Sequence, residues 1–211
     1  MNLTEENFNE INKIANVSRE TFAKLDGFIF ELIKWNKKIN LVSKKHSSFS
    51  DVWQRHIVDS AQLIKYFPES TKKIIDFGSG GGFPALVLAI IGGYEIHLIE
   101  SDSRKCAFLN QIKSLFDLNV HIHNERIENI NPFESDVITA RALAPLSGLL
   151  DLTWGFVQKT KLCIFLKGEN VVEEIDEASG SWNFDYSLFC SVSNRGGQII
   201  VIKNVLNAGN K

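Results

Sequence analysis

The hydrophobic pattern of the first 70 residues predicts helices. After residue 18, apolar side chains such as Leu25, Ile29 and Leu32 recur every three or four positions, which is the period of an amphipathic helix. A further helix is predicted over residues 50–67 on the same grounds, and Pro68 ends it because proline cannot continue a helix. We therefore expect a helical extension over residues 1–70.

From residue 72 the pattern changes. Short apolar runs such as "KIIDF" and "YEIHLIE" alternate with helical stretches such as "SRKCAFLNQIKSLF". This alternation predicts a mostly parallel sheet with helices on both faces. The last two runs, "FDYSLFCSV" and "QIIVIKNV", are separated only by a polar loop and predict an antiparallel hairpin at or near one edge. We therefore expect an α/β fold with seven strands, in which residues 71–211 form one compact unit.

Composition narrows the class. A chain of 211 residues fits one domain, or one domain with an extension. Its three cysteines form no CxxC pair, which is typical of proteins in a reducing cytoplasm. The longest apolar run, residues 83–91, is shorter than the roughly 20 residues that a bilayer requires, and the polar start is no signal peptide. We expect a cytoplasmic protein without a membrane segment, and a monomer.

Charge is distributed unevenly along the chain. The formal net charge is −2, yet residues 34–56 carry six Lys or Arg side chains against one acidic one. Residues 169–185 carry six acidic side chains and no Lys or Arg. Such a chain can offer a basic face to a polyanion while remaining nearly neutral overall. A lysine-rich helix end in solvent is the simpler explanation of the same pattern.

The stretch "IIDFGSGGGF" joins the first predicted strand to the helix after it, where open α/β sheets bind ligands. A dinucleotide fingerprint requires a small residue at the position of Phe83, so the GxGxxG pattern fails. Asp76 followed by Gly78, Gly80 and Gly82 is instead the arrangement of an S-adenosylmethionine turn, in which the carboxylate suits the ligand's ammonium group. The second strand ends at Glu100, where a carboxylate can accept both ribose hydroxyls of either ligand class.

Several segments together resemble one family. They are "WNKKINLVS" (35–43), "RHIVDS" (55–60), "IDFGSGGGFPALVLA" (75–89), "IESDSRKCAFL" (99–109), "ERIE" (125–128), "ITARALAPL" (138–146) and "FLKG" (165–168). In order and spacing they are similar to the bacterial glucose-inhibited division protein B family, the 16S ribosomal RNA guanine-N7 methyltransferases. Ala85 departs from the family, which has glycine there, and the closing segment matches only loosely.

The resemblance implies a Rossmann-like class I methyltransferase fold, S-adenosylmethionine as cofactor, and methylation of guanine 527 in the loop around nucleotide 530. It implies cofactor contacts at Gly78, at Phe83 over the ligand, at Ile127 and Glu128, and at Arg141. It further implies 16S ribosomal RNA as the substrate, and leaves open whether this RNA is free, in the small subunit or in an assembly intermediate.

The sequence shows no evident general base or nucleophile, and methylation of guanine N7 requires neither. Guanine N7 carries a lone pair and no proton at neutral pH, so its methylation requires alignment but no general base. After the fourth predicted strand the chain has "TARA", not the Asp/Asn-Pro-Pro-aromatic motif of exocyclic-amine methyltransferases. Cys163 lies within a strand, where packing explains it better than nucleophilic attack.

Arg141 is the candidate catalytic residue, because a guanidinium can hold guanine O6, a phosphate or a carboxylate with two hydrogen bonds. A salt bridge that closes the strand end would also explain it. The candidate RNA contacts are Lys37, Arg55, His56, Arg104, Lys105 and Lys167. An Arg55–Asp59 pair on a solvated helix is a structural alternative for one of them.

His121 and His123 alternate on one predicted strand and share a face. No third ligand has an evident spacing, so we expect no metal site.

Two alternatives to a methyltransferase remain at this stage. One is a nicotinamide-dependent oxidoreductase, against which Phe83 argues. The other is an RNA-binding or cofactor-sensing module that leaves its RNA unmethylated.

Overall fold

The computed structural model describes residues 3–193 and 196–209. It contains one seven-stranded sheet. The strands are Lys73–Phe77 (β1), Glu95–Ile99 (β2), Val120–His123 (β3), Ser135–Arg141 (β4), Thr160–Lys167 (β5), Trp182–Cys190 (β6) and Gln198–Asn207 (β7). They lie in the order β3-β2-β1-β4-β5-β7-β6. Strands β1 to β5 pair in parallel, and β7 pairs antiparallel with both β5 and β6. The seven-stranded prediction with an antiparallel hairpin at one edge is confirmed.

Helices cover both faces of this sheet. They are Glu5–Ala15 (α1), Arg19–Asn36 (α2), Phe49–Val52 (α3), Asp59–Ala61 (α4), Ala85–Gly92 (α5), Ser103–Phe116 (α6), Leu146–Val157 (α7) and Val171–Ser179 (α8). Alternate residues of β1 enter opposite cores: Ile74 packs with α2, α5 and α6, whereas Ile75 and Phe77 pack with α7 and α8. The alternation follows from the two-residue period of a strand.

The N-terminal helices form where the sequence predicts them, with shorter bounds. Ser18 caps α2 by accepting a hydrogen bond from the Thr21 N–H at 3.0 Å. Helix α2 ends at Asn36, although the apolar pattern continues beyond it. The helix predicted over residues 50–67 is observed, but a π-helical turn at Trp53–Val58 interrupts it between α3 and α4. Such turns widen the helix and are frequent at functional sites.

The N-terminal helices and the sheet share one hydrophobic core. Leu25, Phe28 and Leu32 of α2 are fully buried in the same cluster as Phe83 and Leu86 beside β1. Burying each such side chain contributes roughly 1.5–3 kcal/mol. This packing fixes α2 against the segment that follows β1, where the candidate site lies.

Across the ranges 3–193 and 196–209, no helix has both the length and the apolar character that a bilayer crossing requires.

Candidate functional site

The glycine turn follows β1 at the carboxyl edge of the sheet. Gly78, Gly80 and Gly82 have φ angles of +67°, +56° and +87°. A side chain in this left-handed region costs roughly 1–2 kcal/mol, so all three positions favour glycine. The alternation of glycines in the sequence therefore matches the alternation of left-handed residues in the turn.

The segment after α2 packs directly on this turn. A Cβ added to Gly81 would lie 3.1 Å from the carbonyl oxygen of Leu41. Leu41 belongs to the basic stretch of residues 34–56, so that stretch lies beside the glycine turn. The backbone of the basic stretch therefore passes the glycine turn at Leu41.

Glu100 follows β2 and is only 7% exposed. One carboxylate oxygen accepts the Gly80 N–H at 2.9 Å, and the other accepts the Asp102 N–H at 2.8 Å. Each oxygen retains a further lone pair for a ligand. The two backbone contacts fix the carboxylate beside the glycine turn, where ribose hydroxyls can reach it.

Four of the eight predicted cofactor residues line one cavity of about 290 Å³, which we name the glycine-turn cavity. Gly78, Glu100, Ile127 and Glu128 all contribute to its wall, as does Lys105. They meet there because neighbouring parallel strands end at the same edge of the sheet.

A second cavity of about 530 Å³ adjoins the first, and we name it the arginine cavity. Arg55, His56 and Arg141 line it. Its volume lies within the roughly 300–1,000 Å³ that is typical of ligand pockets. Ala142 and Leu143, directly after β4, line both cavities. A ligand in one cavity can therefore approach a ligand in the other across this shared wall.

The structure places Phe83 in the hydrophobic core beside the site, and its contact with the ligand stays a prediction. Its ring is 3% exposed and is stacked on His56 at a centroid distance of 4.8 Å, with Phe28 at 5.3 Å. It lies outside the lining residues of both cavities. Phe83 contacts the site through Arg141, whose guanidinium lies 5.0 Å from the centre of its ring, within reach of a cation–π interaction.

Arg141 is half-buried at the end of β4 and donates a hydrogen bond to the carbonyl oxygen of Arg55 at 3.2 Å. Burial lowers the pKa of Arg141 to about 10, and the carboxylates of Asp59 and Asp76 oppose this shift. The guanidinium therefore stays charged at neutral pH. One strand end and one helical turn fix its position on the wall of the arginine cavity.

His56 is neutral at physiological pH. Burial, together with the nearby charges of Arg141 and Arg55, lowers its pKa to about 3. Both ring nitrogens are buried, without a hydrogen-bond partner among the residues that the structure describes. A buried polar group of this kind is costly unless a ligand or water satisfies it.

Asp76 is fully buried on β1. Its Oδ1 accepts a hydrogen bond from the Thr139 hydroxyl at 2.7 Å, whereas Oδ2 is buried without a partner in the described part of the chain. Burial raises the pKa of Asp76 to about 6. Like Phe83, Asp76 lies outside the lining residues of both cavities. Its unsatisfied oxygen, two residues before Gly78 in the chain, is the feature that would suit the ammonium group of S-adenosylmethionine.

The affinity for S-adenosylmethionine should therefore depend on pH through Asp76. An ammonium ligand requires the ionised carboxylate, so protonation on lowering the pH competes with binding. We expect affinity to be highest near pH 7 and to fall by up to about tenfold per unit below about pH 6. Calorimetry across this range measures the slope, and an Asp76→Asn variant should show a weak affinity without it. A wild-type affinity independent of pH would remove Asp76 from the ligand.

Two of the predicted RNA contacts take part in ion pairs. The Lys167 side chain is only 7% exposed, and its ammonium group donates to Glu174 at 2.6 Å and to the Ala144 carbonyl at 2.8 Å. Lys167 lines the arginine cavity, but its charge there is paired with that of Glu174. Arg104 is exposed, yet Asp102 holds it at 3.0 Å. Lys37 is exposed at the end of α2.

Sequence reasoning missed the second side of the arginine cavity. Asp59 is hydrogen-bonded to the loop after β6. Its Oδ1 accepts hydrogen bonds from the hydroxyl groups of Ser191 at 2.6 Å and Ser193 at 2.9 Å. Gly197 of the same loop and Gln198 at the start of β7 also line the cavity. No local signal in the sequence relates residues about 130 positions apart.

Comparisons with known proteins agree with this geometry. The family model described as rRNA small subunit methyltransferase G (GidB) matches residues 21–200. A protein named ribosomal RNA small subunit methyltransferase G from Gluconobacter oxydans (strain 621H) is 44% identical over 191 residues, which are 90% of this chain and 97% of that protein. The protein of that name from Orientia tsutsugamushi (strain Ikeda) is 45% identical over 188 residues, 89% of this chain and 93% of that protein.

Solved structures share the fold at low sequence identity. A ribosomal protein L11 methylase from Lactobacillus delbrueckii subsp. bulgaricus has a TM-score of 0.56 and 16% identity, covering 69% of this chain and 76% of that chain. M. jannaschii TYW2, solved in complex with AdoMet, has a TM-score of 0.54 and 15% identity, covering 81% and 80%. The Rossmann-like methyltransferase fold predicted from the sequence is confirmed.

Proposed function

Because the chain belongs to the rRNA small subunit methyltransferase G family, we propose that it methylates N7 of a guanine in 16S ribosomal RNA, with S-adenosylmethionine as the methyl donor. Family membership itself supports a methyltransferase that acts on small-subunit ribosomal RNA. The guanine atom and its position, nucleotide 527 in the 530 loop, are the finer part of the proposal. Membership also sets aside the oxidoreductase alternative.

The observation that carries the proposal is the shared wall between the two cavities. The glycine-turn cavity has the carboxylates Glu100 and Glu128, which suit an adenosine with its ribose hydroxyls. The arginine cavity has the guanidinium groups of Arg55 and Arg141 beside the carboxylate of Asp59, and guanidinium groups suit a nucleotide of the RNA. Ala142 and Leu143 separate the two by the width of one loop.

The chain's own residues hold the donor and the target. S-adenosylmethionine, when bound, supplies a methyl group on a sulfonium. Asp76 would accept its ammonium group, Glu100 would accept its ribose hydroxyls, and Gly78 would let the backbone approach it. Arg141 would donate to O6 of the guanine, which lies next to N7 on the same edge of the base.

No side chain of the site has to remove a proton, because N7 carries none at neutral pH. His56 is consistent with this, since its low pKa makes it a poor base. Burial raises the pKa of Cys163 to about 12, so this thiol is not an attacking nucleophile. The chemistry depends on alignment, which can contribute roughly 7–11 kcal/mol to lowering a barrier.

The RNA would approach over the basic stretch of residues 34–56. Lys37, Arg55 and Lys105 are the contacts that we propose from the predicted set, with Arg104 as a further contact once RNA competes with Asp102. We propose that residues 1–70 act as the RNA-facing extension of the methyltransferase unit at residues 71–211. The same proposal places the protein in the cytoplasm as a monomer.

Complementation tests the proposal. A bacterium that lacks its own enzyme of this family is given this chain, and its 16S RNA is mapped by primer extension and mass spectrometry. We expect one N7-methylguanine to be restored at nucleotide 527. An Arg141→Ala variant in the same strain serves as the matched control and should restore little or none.

Other outcomes separate the alternatives. Methylation at another atom or nucleotide would overturn the finer proposal and leave the family assignment intact. A chain that binds S-adenosylmethionine in calorimetry but restores no methyl group to any ribosomal RNA would support the binding-module alternative.

A further inference from the structure

A group of metal-ligand side chains lies on the two strands β2 and β3, away from the candidate active site. Glu95 and His97 lie on β2, and His121 lies on β3 directly opposite His97 in the parallel register. One ligand atom from each of the three lies within 4.8 Å of the other two. The group begins at Glu95, the first residue of β2, whereas the glycine-turn cavity lies beyond the last residue of that strand.

His97 is fixed at the centre of this group. Its Nε2 lies 3.0 Å from the Glu95 carboxylate, and its Nδ1 lies 3.0 Å from the Nε2 of His123. The Phe133 ring packs on His97 at a centroid distance of 4.7 Å. One ring nitrogen of His97 therefore faces a carboxylate, and the other has its own hydrogen-bond partner. This is how metal-binding histidines are usually oriented by a second side chain.

We propose that Glu95, His97 and His121 bind a divalent transition metal ion of the Zn²⁺, Co²⁺ or Ni²⁺ type. Two imidazoles and one carboxylate are the ligand set that such ions prefer, whereas Mg²⁺ and Ca²⁺ prefer oxygen ligands alone. The ion takes the place between His97 Nε2 and Glu95. A fourth position stays open to water, as in zinc sites with three protein ligands.

Binding of the ion requires two small side-chain movements, of His121 and of Lys73. Ligand atoms about 2.1 Å from a tetrahedral zinc ion lie roughly 3.4 Å from each other. The Glu95–His97 pair is already close to that separation. His121 is exposed, with its ring stacked 4.7 Å from that of His97, so it can turn inward. Lys73, which lies 3.1 Å from Glu95, has an exposed side chain and can move into solvent.

The sequence did not reveal this site because its ligands come from two strands. His121 and His123 are the pair visible in the sequence, but His123 orients His97 from behind. The ligand pair is His97 with His121, and only the register of β2 against β3 brings them together.

Zinc titration of the untagged full chain tests the proposal. All proteins carry Cys190→Ser, because that exposed thiol could bind the ion itself. We expect one Zn²⁺ per chain in calorimetry, and a shift of the His97 and His121 ring signals in nitrogen-edited NMR. The rings of His46 and His56 should not shift.

Three variants locate the ion. His121→Gln alters only an exposed side chain and should lower zinc affinity by at least about 100-fold. His123→Phe replaces the imidazole by an aromatic ring without nitrogen and should lower the affinity by about tenfold. His46→Gln is the matched control, because His46 also lies beside a carboxylate, at 3.9 Å from Asp51, but without a second histidine. It should bind zinc as the parent does. Absence of zinc binding to the parent at about 0.1 mM metal, or equal binding by His121→Gln, would overturn the proposal.

Discussion

Replacing Gly78 by Asp should abolish binding of S-adenosylmethionine, with an affinity at least about 100-fold below wild type in calorimetry, a loss of about 2.7 kcal/mol. A Cβ at this position would lie 2.7 Å from Leu143 in a backbone with φ of +67°. Leu143 belongs to the wall that both cavities share, so the added side chain narrows the passage between them. The new carboxylate would also add a charge to the wall of the glycine-turn cavity, which already carries Glu100 and Glu128.

Gly93→Asp is the matched control for backbone strain. Gly93 ends α5 with a φ of +65°, and nothing lies within 4 Å of its added Cβ. Both variants carry the left-handed penalty of roughly 1–2 kcal/mol and should unfold at a lower temperature than wild type. Only Gly78→Asp should lose the ligand. If both variants bound S-adenosylmethionine as wild type does, the glycine turn would not be the cofactor site.

The elements after residue 72 could be predicted because each strand and helix has its own period in the sequence. Helix α6 at Ser103–Phe116 has the predicted bounds, since Asp102 caps it and an amphipathic run follows. The π-helical turn at Trp53–Val58 could not be predicted, because no residue type marks it. The end of α2 could not be predicted either. There the Asn36 side chain accepts hydrogen bonds from the N–H groups of Leu41 and Val42, and the chain turns back.

The cofactor side of the site was accessible to sequence reasoning for a topological reason. Parallel neighbours end at one edge, so residues after β1, β2 and β3 had to meet there. Gly78, Glu100 and Ile127 accordingly line one cavity.

The target side depends on contacts between distant segments. Asp59 comes from the N-terminal helices and Gln198 from the final strand, and only tertiary packing places both beside Arg141. Phe83 shows the converse case, in which the sequence does not reveal that a side chain is buried. Its position in the turn suggests a ligand contact, but hydrophobic burial against Phe28 and His56 directs the ring inward.

Replacing Arg141 by Ala should lower methyl transfer to 16S RNA by roughly 100-fold or more, while the affinity for S-adenosylmethionine changes by less than about tenfold. The guanidinium lies on the arginine cavity, so its loss removes a contact to the target base and leaves the glycine turn intact. Single-turnover methylation with a saturating donor measures transfer, and calorimetry measures donor binding. Arg141→Lys should recover only part of the rate, because an ammonium group keeps the charge but cannot donate the two parallel hydrogen bonds of a guanidinium.

Arg19→Ala is the control for removing a partly exposed arginine, since Arg19 pairs with Glu5 and stacks on Phe8 at the start of α2. It should leave both measurements close to wild type. The ratio of the two losses identifies the role of Arg141. A group that orients the target base raises the barrier without weakening the donor, whereas a group that holds the donor carboxylate weakens both together. Equal losses would make Arg141 a donor ligand and would leave the arginine cavity without its proposed contact to guanine.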